Sequence, residues 1–149
     1  MILTADSAVA HATARRLTPD GWITTFIGQN RGTVRPGDAM PESGCLYPMA
    51  FLVEKGAGAV VPSHFHQADQ YQVVVLGSGR VGVHDVAGMA VHYTDAYSAY
   101  GPIVAADEGI AWFTLRNCWR CAGRYRAPGS QALRRVNQAM PSSAATIGP

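Results

Sequence analysis

No apolar run in the sequence approaches the roughly 20 residues that a helix needs to cross a bilayer. That argues against a helical membrane span. Arg15-Arg16 is followed by Pro19, Asp20 and Gly21, where a twin-arginine export signal would need an apolar segment. A cytoplasmic protein without membrane contact is the expectation. Cysteine is scarce: three thiols cannot build a complete disulfide framework, and a reducing compartment explains them most simply. Cys118 and Cys121 form a CxxC, yet no second CxxC or histidine pair lies at zinc-ribbon spacing, and the motif follows a strand instead of opening a helix. They are read as ordinary thiols. Negative charge is missing after Glu108, while Arg116, Arg120, Arg124, Arg126, Arg134 and Arg135 all fall beyond it. Basic excess can attract a polyanion, but no aromatic residues interleave with it in an RNA-binding pattern. Nucleic acid is therefore not an expected partner, and the arginines are read as a solvated face or as inter-subunit ion pairs.

What is abundant is strand-forming sequence cut by turn residues. WITTFIG (22–28), LYPMAFLVE (46–54), AVVPSHFH (59–66), QYQVVVL (70–76), RVGVHDV (80–86), MAVHYT (89–94) and IAWFTLRN (110–117) are separated by GQNRG, KGAG, GSG, AG and DEG. This spacing predicts an all-β sandwich or barrel, not the alternation of a parallel sheet. At 149 residues one domain is expected, with a barrel core over about 46–126, an N-terminal arm over 1–45 and a tail over 127–149. Short helices are expected at 5–16 and 131–139, and an irregular loop at 28–44. The arm before Gly44 and the apolar strand at 46–53 are the candidate interface of a homodimer.

The stretch SHFHQADQ, residues 63–70, carries the chemistry. On a strand, His64 and His66 point to one face and Phe65 to the other, so two imidazoles can meet one ion. Neutral imidazole suits Zn, Fe, Ni, Cu and, less well, Mn, so the pair does not select a metal. Gln70 opens the next strand and Gln72 shares its parity. Phe51, Val74, Trp112 and Leu115 are expected to build an apolar shell around this polar cluster, a composition suited to a small-molecule site. Large aromatics are core more often than wall, and of Trp22, Trp112 and Trp119 only Trp112 is carried as pocket wall.

Gly58, five residues, His64, one residue, His66, three residues, Gln70, six residues and Gly77 resemble the first motif of the cupin superfamily, with Gln70 in place of the usual Glu. Pro62 adds to the likeness, which covers residues 47–117 and is specific from Gly58 to Gly79. It implies a double-stranded β-helix, a small jelly-roll barrel with its ligand or metal inside. In the stretch TDAYSAYGPIV, Tyr100 stands where the second motif of that family carries a histidine. The resemblance implies a divalent transition metal (Fe, Zn, Ni or Mn) on His64, His66 and Gln70, with Tyr100 and His92 as catalytic candidates. Gln72, Phe51 and Trp112 would line the substrate pocket. His92, then Tyr100, then His84 are the candidates to complete the ligand set, while strand alternation turns Asp69 away.

Three functions follow. A metal-dependent enzyme on a small organic substrate (dioxygenase-, cyclase- or isomerase-like) is the leading one. A metal-free isomerase or epimerase using His/Tyr acid–base chemistry is the second, and a non-catalytic small-ligand-binding module the third.

Overall fold

A computed structural model describes residues 2–29, 37, 39 and 46–119. The expected loop at 28–44 falls largely outside them, as do the helix at 131–139, the tail and every arginine beyond Arg116. Among the described residues no helix is long and apolar enough to cross a membrane.

The first element is α1 (Ser7–Thr13), opened by Asp6, whose carboxylate accepts from the Val9 N–H at 2.9 Å. The helix is shorter than the expected 5–16. Ala14 leaves the helical conformation and its carbonyl accepts from the Thr25 N–H at 3.1 Å, so the chain turns directly into a strand. Strands β1 (Arg15–Thr18) and β2 (Gly21–Ile27) form a hairpin, and β2 pairs with β3 (Met49–Lys55). The segment expected as an arm is thus partly sheet. Strand β3 is flanked by β2 on one side and by β8 (Ile103–Arg116) on the other. Strand β3 therefore has no open edge over 50–55.

The framework is the antiparallel pair of β5 (Gln70–Val81) and β8, in register from Gln70↔Arg116 to Val81↔Ile103. The two short strands expected at 70–76 and 80–86 are really β5 followed by β6 (His84–Ala87), so GSG is not a turn. Gly77 has a φ of 68°, and a Cβ there would strike the Gly109 carbonyl of β8. Glycine lets two backbones touch where the register shifts, between Gly77 and Gly79. Strand β7 (Val91–Thr94) pairs with the start of β5, and β4 (Val60–Val61) with the start of β8.

Inward-facing Met49, Phe51, Val53, Val74, Val81, Ile103, Ile110 and Trp112 form one buried cluster that also takes in Trp119. Each such side chain is worth roughly 1.5–3 kcal/mol when taken out of water. That burial offsets the cost of enclosing the polar side chains at one end of the same strands. Cys118 is buried and disulfide-bonded, which corrects the reading of it as an ordinary thiol.

Candidate functional site

His64 and His66 do not lie on one continuous strand. Pro62 has no N–H to give a ladder and β4 stops before it. Backbone bonds hold the segment instead: the His64 N–H donates to the Tyr100 carbonyl at 3.1 Å, the Tyr100 N–H returns to His64 at 3.0 Å, and the Tyr97 N–H reaches the His66 carbonyl at 2.7 Å. This staple delivers both imidazoles to Tyr100, with ring centres 4.9 Å apart from each other and 4.6 and 6.1 Å from the phenol ring.

The rings border a cavity of about 520 Å³. Its wall includes the expected Phe51, Gln72, Tyr100 and Trp112, together with Met49, Val53, Ile103, Thr114 and Trp119. Trp22 is not part of it; its indole is covered by the Arg15 guanidinium at 4.6 Å. Phe65, expected to face away, also contributes to the lining because no strand alternation governs this segment. Leu115 faces outward and is exposed, since it has the opposite parity to Trp112. The same parity puts Thr114 and Arg116 inside. Arg116 is a functional residue that sequence reasoning misses: by composition it belongs with the surface arginines, although two steps of two along β8 lead to it from Trp112.

Arg116 fixes the polarity of the whole cluster. A guanidinium only donates, so the Gln70 amide oxygen must be the atom that meets Arg116 Nε at 3.0 Å and Nη2 at 2.8 Å. The Gln70 NH2 is then left to face the Tyr100 hydroxyl, to which it donates at 2.8 Å. The Gln72 NH2 donates to the same oxygen at 3.2 Å, while its carbonyl oxygen accepts from His92 Nδ1 at 2.9 Å. Both lone pairs of the phenol oxygen are engaged, so its own proton must be donated elsewhere. Burial raises the Tyr100 pKa above its ordinary value, outweighing the opposite pull of Gln70, Arg116 and Gln72, and this keeps the proton in place. His92 is held neutral by burial and then by nearby His84, both of which lower its pKa.

Other expected residues fall outside the cavity wall. Gln70 is fully buried behind Tyr100, and His92 stands behind Gln72, against the Tyr100 ring at 5.1 Å. His84 borders a separate groove by β6. Asp69 faces away, accepting from the Ala96 N–H at 2.9 Å.

No protein-family model matches the chain, and no curated protein matches it. Solved structures do. KdgF from a Halomonas species aligns with a TM-score of 0.60 at 16% identity, over 83% of this chain and 99% of that one. An oxalate decarboxylase variant from Bacillus subtilis gives 0.58 at 16% identity, over 95% of this chain and 38% of that one. The chain has the cupin fold. A third match comes from the Rhodobacter sphaeroides complex of SigE with the anti-sigma ChrR, at 0.52 and 14% identity, over 74% of this chain and 54% of that one. The Bacillus enzyme has Mn(II) centres. At these identities the likenesses establish the fold alone.

Whether a divalent ion fits this cupin barrel is decided by its donors. Two imidazoles bound to one ion at about 2.0–2.1 Å, near a right angle or slightly wider, bring their ring centres about 5 Å apart. The observed 4.9 Å satisfies this. His64 Nδ1 meets the Pro62 carbonyl at 2.8 Å, which places its proton there and leaves Nε2 as the open nitrogen. The rest of the set does not follow. The Gln70 oxygen is held by Arg116, the Tyr100 oxygen by two amides, and no group of three His, Cys, Asp or Glu side chains gathers among the described residues. The pair fits an ion; a complete centre does not.

Proposed function

We propose that this chain is a small-molecule enzyme of cupin fold that moves a proton on an organic substrate held in the barrel cavity. Tyr100 is the proton donor and the open Nε2 of His64 the acceptor, an arrangement suited to isomerisation or enolisation next to a carbonyl. The observation that carries this reading is the commitment of both Tyr100 lone pairs to amide N–H groups, which leaves the phenol nothing to do but donate. Arg116, Gln70, Gln72 and His92 act through Tyr100 as positioning residues. The apolar wall keeps water from competing for the proton.

The spacing of the two rings favours a second reading, in which His64 and His66 hold a divalent ion such as Fe, Zn, Ni or Mn. The ion would act there as a Lewis acid. Protein purified without a tag or chelators separates the two. On the proton-transfer reading, metal is substoichiometric, and deuterium exchange from D2O into small 2-oxo acids survives chelation and is lost in Tyr100→Phe. Stoichiometric metal that disappears in both His64→Ala and His66→Ala would replace this reading with the second. Absence of exchange across the series would leave a binding module. The homodimer remains a proposal, supported by the outermost positions of β1 and β6 in the sheet, and light scattering at working concentration tests it.

A further inference from the structure

The cavity wall is unequal in charge. Lys55, the only lysine of the chain, and Arg116 both line it together with His64 and His66, and no carboxylate belongs to the described lining. Asp20 comes within 3.8 Å of Lys55 Nζ but is itself outside the wall. A cation held in a low-dielectric enclosure projects its field far more strongly than at a surface.

Hydrogen-bond donors are in excess as well. Trp112 is 5% exposed and lines the cavity, and its indole N–H is buried without an acceptor among the described residues. Leaving such a donor unmade is costly unless a ligand supplies the acceptor. The Tyr100 proton is likewise directed away from the two glutamines that engage its oxygen. Two acceptors beside Tyr100 are already engaged, the Gln70 oxygen by Arg116 and the Gln72 oxygen by His92. A partner rich in acceptors and of negative charge complements such a wall; a cation or a donor-rich neutral molecule does not.

We infer that the cavity takes a small organic anion, its carboxylate drawn to the Arg116 end and its apolar body laid against Phe51, Val53, Ile103 and Trp112. This rests on the cavity being the ligand site and names the substrate class for the function proposed above. The carboxylate accepts from donors that the protein leaves over, and the indole N–H is the one whose satisfaction depends on a ligand.

Calorimetric titration of the tag-free full chain tests it with matched pairs differing by one charge: benzoate against benzamide, and hexanoate against hexanamide. Each acid binds at least tenfold more tightly than its amide at low ionic strength. The margin shrinks to two- or threefold in Arg116→Gln, persists in Arg116→Lys, and falls with added salt. Trp112→Phe weakens the acids several-fold while thermal melting shows the fold retained. Amides binding as well as acids, an acid preference undiminished in a folded Arg116→Gln, or binding by neither member of either pair overturns the inference. These titrations need no turnover. A lost anion preference would leave the Tyr100 exchange result standing, and an inert Tyr100 would leave the anion preference standing.

Discussion

The two ends of the barrel are built by the same three strands and behave as different materials. Toward one end, β3, β5 and β8 turn Val53, Val74, Trp112 and Ile110 inward, and apart from the Trp112 indole N–H contact alone satisfies them. Toward the other, the next inward positions are Gln70, Gln72, Thr114 and Arg116, in register as Gln70↔Arg116 and Gln72↔Thr114. Those groups need partners with direction. The bonds among Arg116, Gln70, Gln72 and Tyr100 have one arrangement only, because a guanidinium cannot accept and the two amides are then forced to orient. One end therefore holds the fold and the other fixes where a proton points.

The comparison breaks most visibly through stability. Trp112→Ala removes the largest side chain at the boundary and should cost about 3–5 kcal/mol in urea unfolding. Gln70→Leu keeps volume but takes away the two charge-assisted bonds of Arg116. It should cost about 1.5–3 kcal/mol and loosen Tyr100, read as lost exchange activity at unchanged far-ultraviolet dichroism. Gln70→Glu sharpens the contrast. A carboxylate still satisfies Arg116, but it accepts from Tyr100 instead of donating to it, so the phenol proton turns away from the cavity and activity falls with the fold intact.

The smallest effect is in pH dependence. The His92 pKa lies below its usual 6.5 in the folded chain, chiefly through burial and secondarily through His84. The unfolded chain therefore binds the proton first as pH falls. The stability tied to neutral His92 is complete above 6.5 and is lost as pH drops through the lower folded value. His92→Gln should flatten that acid limb, and His84→Gln should move it slightly upward toward 6.5.

Much of this barrel could be read from its alternation and turn spacing. His64, His66, Gln72, Tyr100, Phe51 and Trp112 all line the cavity; inward parity carries this for Phe51, Gln72 and Trp112, whereas the histidines and Tyr100 are brought there by a backbone pairing off the long strands. Three things were hidden for physical reasons. Glycine reads as a turn in GSG, whereas in β5 it permits close backbone approach to β8. By hydropathy Leu115 reads as shell and Arg116 as surface, although one step of register along β8 exchanges the two faces. The orientation of Gln70 could not be foreseen at all, since it depends on a guanidinium 46 residues away.

A crystal structure of tag-free protein from metal-replete cells tests the central claim most directly. The account predicts Arg116 within hydrogen-bonding distance of the Gln70 oxygen, both glutamine amides on the Tyr100 hydroxyl, and no ion touching either residue. An ion coordinated by His64, His66 and the Gln70 oxygen, with Arg116 swung aside, would contradict it.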